Sequence, residues 1–122
     1  MKWSPNLANM TARLVTYQRL KNNCDFVDLS SSKIKYGSNQ MWAQGKEVDP
    51  STVVKSWVRE KEHYNHSTNA CVGSDQCGVY TQVVWRKTVE VGCAQASCVK
   101  NVTSLTICFY NPPGNIVGEK PY

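Results

Sequence analysis

Four of the six cysteines in this 122-residue chain lie between Cys77 and Cys108, interleaved with short apolar runs. A Pro-Pro-Gly turn sequence at residues 112–114 follows the last of them. Closely spaced cysteines with turn residues are typical of small exported domains that are stabilised by disulfides. The even count, without a Cys-x-x-Cys or Cys₂His₂ spacing, favours disulfides over a structural zinc site and predicts an oxidising compartment.

The charge and hydropathy patterns agree with an exported globular domain. The net charge of +5 is scattered along the chain, which predicts a solvated basic surface rather than the concentrated stripe of a nucleic-acid-binding protein. Such a surface is compatible with weak attraction to an anionic cell wall or membrane. Apolar runs are too short to span a membrane, and without a signal peptide we expect a mature or trimmed form. Glycosylation sequons begin at Asn9, Asn65 and Asn101.

Two helices are predicted by their start signals. Ser4-Pro5 combines a capping side chain with a proline at the first helical position, and apolar residues follow at helical spacing. These features predict a helix over residues 5–20. Asp49-Pro50 predicts the start of a second helix by the same physical reasoning.

The rest of the chain is read as loops and strands. Turn formers are frequent in residues 24–48, which predicts an irregular segment, and residues 65–76 are expected to form a polar loop. Residues 88–96 and 104–110 are predicted strands. The second has one apolar face, because Leu105, Ile107 and Phe109 alternate with other residues.

Two motifs are specific enough to suggest a family. One reads Cys77-Gly-Val-Tyr-Thr-Gln-Val-Val-Trp85; the other begins Cys108-Phe-Tyr-Asn-Pro-Pro-Gly-Asn115 and ends in Gly-Glu-Lys-Pro-Tyr122. With these motifs the chain resembles the plant pathogenesis-related class 1 proteins, which belong to the superfamily of cysteine-rich secretory proteins and insect venom antigen 5. The first half carries looser marks of the same family.

The resemblance implies one domain over residues 1–122 with an α+β fold, a three-layer α–β–α sandwich around a small antiparallel sheet. It implies a short helix at residues 80–85, where valines alone would favour a strand. It also implies a helix before Trp3 that this sequence starts without, so we expect either that the partner surface of this helix is exposed or that the chain is a truncated product. The implied disulfides are Cys24–Cys98, Cys71–Cys77 and Cys93–Cys108.

The family has a cleft in which two histidines and two glutamates can bind a metal. The corresponding positions here are Asp28, Ser38, Glu60 and Val79, so only one glutamate is retained. Zinc prefers nitrogen or sulfur donors in a tetrahedral set, and these side chains offer no imidazole. We therefore expect no metal and no cofactor.

Aromatic side chains are a second candidate site. The family region that contains Tyr36, Met41 and Trp42 has been linked to sterol binding, and here these residues are predicted to lie in a loop. The alternative is that they pack against the edge of the sandwich. The other large aromatics, Trp57, Tyr80 and Trp85, are predicted to be core.

The C-terminal motif is a third candidate site. In plant members of the family, a segment that starts at the first proline of the motif can be released as a defence-signalling peptide. The corresponding cut lies between Asn111 and Pro112 and would release residues 112–122. We expect this segment to be surface-accessible, because its proline, glycine and asparagine content disfavours regular structure. The alternative is a tail that packs across the domain.

The resemblance, together with these patterns, implies a secreted, apoplastic plant defence protein that is monomeric, binds a sterol or other lipid and is not an enzyme. It could also be the precursor of a peptide with a cell-surface receptor. One rival is a metal-dependent or serine-type hydrolase, which would have to use His63 or His66, the two histidines of the chain. The other rival is a receptor or effector interaction module without a small ligand.

Overall fold

The computed structural model describes residues 1–21, 24, 35–44, 48–73, 76–98 and 103–122. Its centre is a four-stranded sheet made of β1 Lys2–Trp3, β2 Gly37–Gln44, β5 Glu90–Cys98 and β6 Thr103–Asn111. The order of the strands in this sheet is β1-β5-β6-β2. A separate two-stranded ribbon, β3 Tyr64–Asn65 and β4 Ala70–Cys71, begins one residue before the predicted polar loop and occupies part of it. β1 runs parallel to β5, and the other pairs of the main sheet are antiparallel.

Helix α1, Pro5–Lys21, covers one face of the sheet, as its start signal predicts. The Ser4 hydroxyl accepts a hydrogen bond from the Leu7 N–H at 3.1 Å, which satisfies a donor that has no partner inside the helix. Leu7 and Val15 are buried against Leu105, Ile107 and neighbouring residues of β5 and β6. This set is called the α1-side core below.

Two further helices, α2 Pro50–Val58 and α3 Gly78–Val83, cover the other face, and a 3-10 helix, Arg59–His63, follows α2. Val53 and Trp57 of α2 pack against Cys108 and Tyr110 of β6 to form the α2-side core. The predicted three-layer sandwich is therefore confirmed. The predicted helix at residues 80–85 exists as α3, but it begins and ends earlier than expected.

Strand β6 corrects the prediction of a single apolar face. All residues from 103 to 110 are buried. Leu105, Ile107 and Phe109 face the α1-side core, whereas Cys108 and Tyr110 belong to the α2-side core. Because helices cover both faces of the sheet, its central strand is buried on both.

Strand β2 corrects the prediction of an irregular segment. Every residue from Gly37 to Gln44 pairs with a residue of β6, from Tyr110 to Thr103. The turn-forming residues of this stretch favoured a loop, but pairing with a neighbouring strand overrides local propensity. Asn39 has a specific part in this arrangement, since its amide donates to the Val79 carbonyl at 3.1 Å and to the Tyr110 hydroxyl at 3.3 Å.

Three disulfides join Cys24 to Cys98, Cys71 to Cys77, and Cys93 to Cys108. This is the pairing that the family resemblance implies. Trp57, Tyr80 and Trp85 are buried, as predicted. Within the described part of the chain, no helix is long and apolar enough to cross a membrane.

Candidate functional site

Glu60, the retained glutamate of the expected cleft, is bound to the backbone of α3. Its Oε1 accepts hydrogen bonds from the main-chain N–H groups of Val79 and Tyr80, both at 3.1 Å. These donors belong to the first turn of α3, where N–H groups have no partner within the helix and where a negative charge is favourable. Glu60 thus joins the 3-10 helix to α3.

The other cleft positions are only partly brought together. Val79 lies beside Glu60 and packs against the α2-side core. Ser38 is paired with Phe109, so its side chain shares the opposite, α1-covered face of the sheet. Asp28 lies outside the described residues. Among the residues that the structure describes, no three or more histidine, cysteine, aspartate or glutamate side chains cluster closely enough to hold a metal ion.

The predicted lipid-binding residues lie on or next to β2, not in a loop. Tyr36 stacks on Phe109, with ring centroids 5.9 Å apart, and packs against the α1-side core. Met41 packs against the α2-side core. Trp42 is 39% exposed, and because side chains alternate along a strand, it lies on the face opposite to Met41. The three residues therefore do not form one continuous patch.

An apolar groove of about 540 Å³ lies between α2 and the sheet. Its walls include Trp3, Val54, Trp57 and Val91. Trp3 and Val54 are 59% and 45% exposed. Sequence reasoning missed this groove because its walls come from distant parts of the chain; the apolar stripe of α2 was the available signal. The groove lies beside Trp3, where the family resemblance implies a further helix.

The junction between Asn111 and Pro112 is held on both sides. The Asn111 carbonyl accepts a hydrogen bond from the Val89 N–H at 3.0 Å, and the Pro112 carbonyl accepts one from the Thr88 hydroxyl at 2.8 Å. Asn111 is also the last residue of β6, paired with Glu90. The expected cut therefore lies at the end of an ordered strand.

The segment 112–122, called the tail below, is exposed along most of its length but is attached to the domain. Val117 is fully exposed, as predicted for the segment, whereas Pro121 is fully buried, against that prediction. The buried Gln82 side chain accepts a hydrogen bond from the Gly114 N–H at 2.9 Å and donates to the Thr88 hydroxyl at 3.3 Å. Neither Gln82 nor Thr88 was singled out from the sequence.

The end of the tail lies in an aromatic cluster. The Tyr122 ring is parallel to the His66 ring at 4.5 Å, and a hydrogen bond joins His66 Nε2 to the main-chain oxygen of Tyr122. The Tyr122 hydroxyl is 3.0 Å from the Tyr80 hydroxyl. Burial, followed by this hydrogen bond and by repulsion from Tyr122 and Tyr64, raises the pKa of Tyr80 to about 12. Burial also raises the pKa of Tyr64, and Tyr122 adds to that effect.

Comparison with known proteins identifies the family. Residues 1–110 match the family model described as CAP, the cysteine-rich secretory protein family. The chain is 57% identical over 122 residues to the STS14 protein of Solanum tuberosum, covering 100% of this chain and 56% of that protein. It is 43% identical over 102 residues to pathogenesis-related protein PR-1 of Medicago truncatula, covering 84% of this chain and 57% of that protein. The chain thus spans little more than half the length of these relatives.

Solved structures show the same fold. Venom allergen-like protein 4 of Schistosoma mansoni superimposes with a TM-score of 0.73 at 28% identity, covering 98% of this chain and 71% of that one. BmVAL-1 superimposes with a TM-score of 0.72 at 26% identity, covering 100% of this chain and 63% of that one.

Proposed function

Because the chain belongs to the cysteine-rich secretory protein family, we propose that it is a secreted plant defence protein of the apoplast that binds a sterol or another lipid. The defence role is supported by its similarity to plant relatives named as pathogenesis-related proteins. Export is supported by the three disulfides, which persist in oxidising compartments. Lipid binding is supported chiefly by the apolar groove beside α2.

The groove suits an apolar ligand for two reasons. Its volume of about 540 Å³ lies within the range of small-molecule sites. Its walls are formed mainly by apolar side chains such as Val53, Trp57 and Val83. An apolar ligand that binds there removes its own surface and that of the groove from water, which is favourable. Of the three predicted lipid-binding residues, Met41 lies nearest to the groove. It is paired with Thr106 across β2 and β6, on the same face of the sheet, and Thr106 lines the groove.

We propose binding rather than catalysis. The Glu60 carboxylate accepts two main-chain hydrogen bonds, which gives it a structural task. His66 is engaged by Tyr122 of the tail, through a ring stack and a hydrogen bond to its main-chain oxygen. A hydrolase would need a nucleophile, a base and an orienting group within hydrogen-bond reach.

Titration of the protein with a fluorescent sterol tests the lipid proposal. Val54→Glu places a carboxylate in the groove, where binding of an apolar ligand would desolvate it. We expect the affinity to fall about tenfold or more, corresponding to at least about 1.4 kcal/mol. Val72→Glu is the matched control, because Val72 is 58% exposed and does not line the groove. It should bind sterol like the unmodified protein.

Two outcomes would contradict the groove as the binding site. One is equal affinity of Val54→Glu and Val72→Glu. The other is a loss of binding in Trp42→Ala alone, which would assign the ligand to the β2 edge of the sheet instead. A longer chain that adds the helix implied before Trp3 by the family resemblance is a further test. If the longer chain no longer binds sterol, that segment fills the groove and the lipid proposal is wrong.

We further propose that the tail is released as a signalling peptide recognised by a cell-surface receptor. The exposure of Pro112 and Pro113 supports access of a protease to this region. Incubation with apoplastic fluid followed by mass spectrometry should detect the fragment 112–122. Cleavage elsewhere but never at Asn111–Pro112, or a synthetic peptide without any defence response, would contradict the precursor role.

A further inference from the structure

The tail is bound to the domain at points spread along its length. Near its start, the Gly114 N–H donates to Gln82, and the Asn115 side chain accepts from the Thr81 hydroxyl at 2.5 Å and donates to the Gly78 carbonyl at 2.9 Å. These contacts hold the turn of the tail against α3. They do not depend on the covalent bond between Asn111 and Pro112.

A second group of contacts holds the far end of the tail. The side-chain amide of Asn69 donates to the Glu119 main-chain carbonyl at 3.1 Å, and the main-chain N–H of Arg86 donates to the Pro121 carbonyl at 2.8 Å. Pro121 is fully buried, and as a proline it brings no N–H donor that burial would leave without a partner. Hydrogen bonds to main-chain carbonyls fix the path of the tail whatever side chains it carries.

The last residue of the tail adds a recognisable side chain. The Tyr122 ring lies parallel to His66 and edge-on to Tyr64, with centroids 4.5 Å and 6.4 Å away, and its hydroxyl reaches Tyr80. Aromatic pairs of this kind contribute beyond the burial of their area. A buried proline followed by a stacked tyrosine is therefore the best-defined part of the tail's attachment.

We propose that the domain is itself a binding partner of the tail, so that a cut at Asn111–Pro112 leaves a two-chain complex from which the peptide must still dissociate. The binding surface is the one formed by His66, Asn69, Tyr80 and Gln82 together with the Arg86 main chain, and its ligand is a peptide that carries the buried proline and stacked tyrosine of Pro121-Tyr122. This inference rests on the proposed precursor role.

The physical reason is that cleavage leaves the contacts between the tail and the domain in place but removes the covalent tether, which changes the entropy of binding. In the intact chain, the tail meets its surface at the high effective concentration of a tethered segment. After a cut, the same contacts must offset the loss of translational and rotational freedom of a free peptide. Contacts at both ends of the tail restrain the peptide more than contacts at one end would, which makes release a separate step after cleavage.

The test uses the full chain with a recognition sequence for a specific protease inserted between Asn111 and Pro112. After cleavage under native conditions, size-exclusion chromatography and native mass spectrometry should find the peptide still bound to the domain. In cleaved Tyr122→Ala, dissociation should be about tenfold faster, equivalent to about 1.4 kcal/mol. Val117→Ala is the matched control, because Val117 is fully exposed within the same tail. It should retain the peptide like the unmodified sequence.

Immediate loss of the peptide from the cleaved protein, or equal dissociation of Tyr122→Ala and Val117→Ala, would overturn the proposal. A second measurement needs no insertion. Hydrogen exchange of the Arg86 amide, which donates to Pro121, should be about tenfold faster in Tyr122→Ala than in Val117→Ala. Equal exchange in both variants would also overturn it. Because both measurements avoid natural proteases, absence of cleavage by apoplastic fluid would reject the precursor role without touching this result.

Discussion

At the scale of single residues, Glu60 offers a direct test of a structural carboxylate. Glu60→Ala removes the acceptor for the Val79 and Tyr80 N–H groups and should lower the free energy of unfolding by about 1.5–3 kcal/mol, as for hydrogen bonds to charged groups. Glu60→Gln keeps an acceptor oxygen and should lose less. Denaturant unfolding with the disulfides intact measures both. Glu62→Ala, at an exposed position of the same 3-10 helix, is the control. A loss for Glu60→Ala no larger than for Glu62→Ala would contradict the assignment.

A second residue-scale prediction concerns Tyr80 in alkaline solution. Burial and the Tyr122 contacts raise its pKa from 10.0 to about 12, so the folded state favours the neutral phenol. This contribution to stability is complete below about pH 10 and is lost as pH rises through about 12. Tyr80→Phe, which cannot ionise, should show a shallower fall of unfolding free energy over this range. Burial also raises the pKa of Tyr110, so ultraviolet titration of tyrosinate should show a smaller late step in Tyr80→Phe rather than none. A late step of unchanged amplitude would refute the assignment.

At the scale of elements, the close approach of α1 and β5 depends on a residue without a side chain. A Cβ atom at Gly92 would lie 2.3 Å from the Ala8 nitrogen and 2.6 Å from the Leu7 carbonyl carbon. Both atoms belong to the backbone of α1, so a rotamer change cannot relieve the clash. The helix would have to move away from the strand, and the α1-side core would lose part of its packing.

Gly92→Ala should therefore lower the free energy of unfolding by about 1–3 kcal/mol, the usual range for overpacking. Gly78→Ala is the matched control, because the nearest atom to its added Cβ is 3.7 Å away, an ordinary contact. Gly78 is the first residue of α3, where alanine has the higher helix propensity, so this variant should be neutral or slightly more stable. Thermal or denaturant unfolding of the two variants measures the difference, and similar losses in both would speak against the close packing.

At the scale of the whole molecule, the disulfides restrain the chain to different extents. Cys24–Cys98 joins residues 74 positions apart, whereas Cys71–Cys77 joins residues 6 apart. If each bridge acts by limiting the unfolded ensemble, removal by paired alanine substitution should lower stability by about 4 kcal/mol for the long loop and about 2 kcal/mol for the short one. Denaturant unfolding of the two double variants gives this comparison. A reversed order would show that native packing around the bridges outweighs loop length.

Local signals in the sequence were sufficient for several features. The Ser4-Pro5 and Asp49-Pro50 signals placed the starts of α1 and α2 because capping and proline geometry act within a few neighbouring residues. The motifs around Cys77 and Cys108 indicated the family, and with it the sandwich and the disulfide pairing. The helix starts and the motifs can be read along the chain itself, whereas the sandwich and the disulfide pairing were implied by the family resemblance.

Other features depended on contacts between distant residues. Gly37–Gln44 is a strand because β6 pairs with it, although its own composition favours turns. Glu60 accepts a hydrogen bond from α3 because the fold brings it to an N–H donor 19 positions away. Gln82 accepts one from the tail because the fold brings it to an N–H donor 32 positions away. The groove beside α2 and the buried Pro121 likewise arise where remote segments meet. The sequence by itself determined the family and the helix starts. Only the tertiary structure decided which polar groups, strand edges and tail residues found partners. The reason is that each of these contacts joins positions whose separation along the chain does not reveal their distance in space.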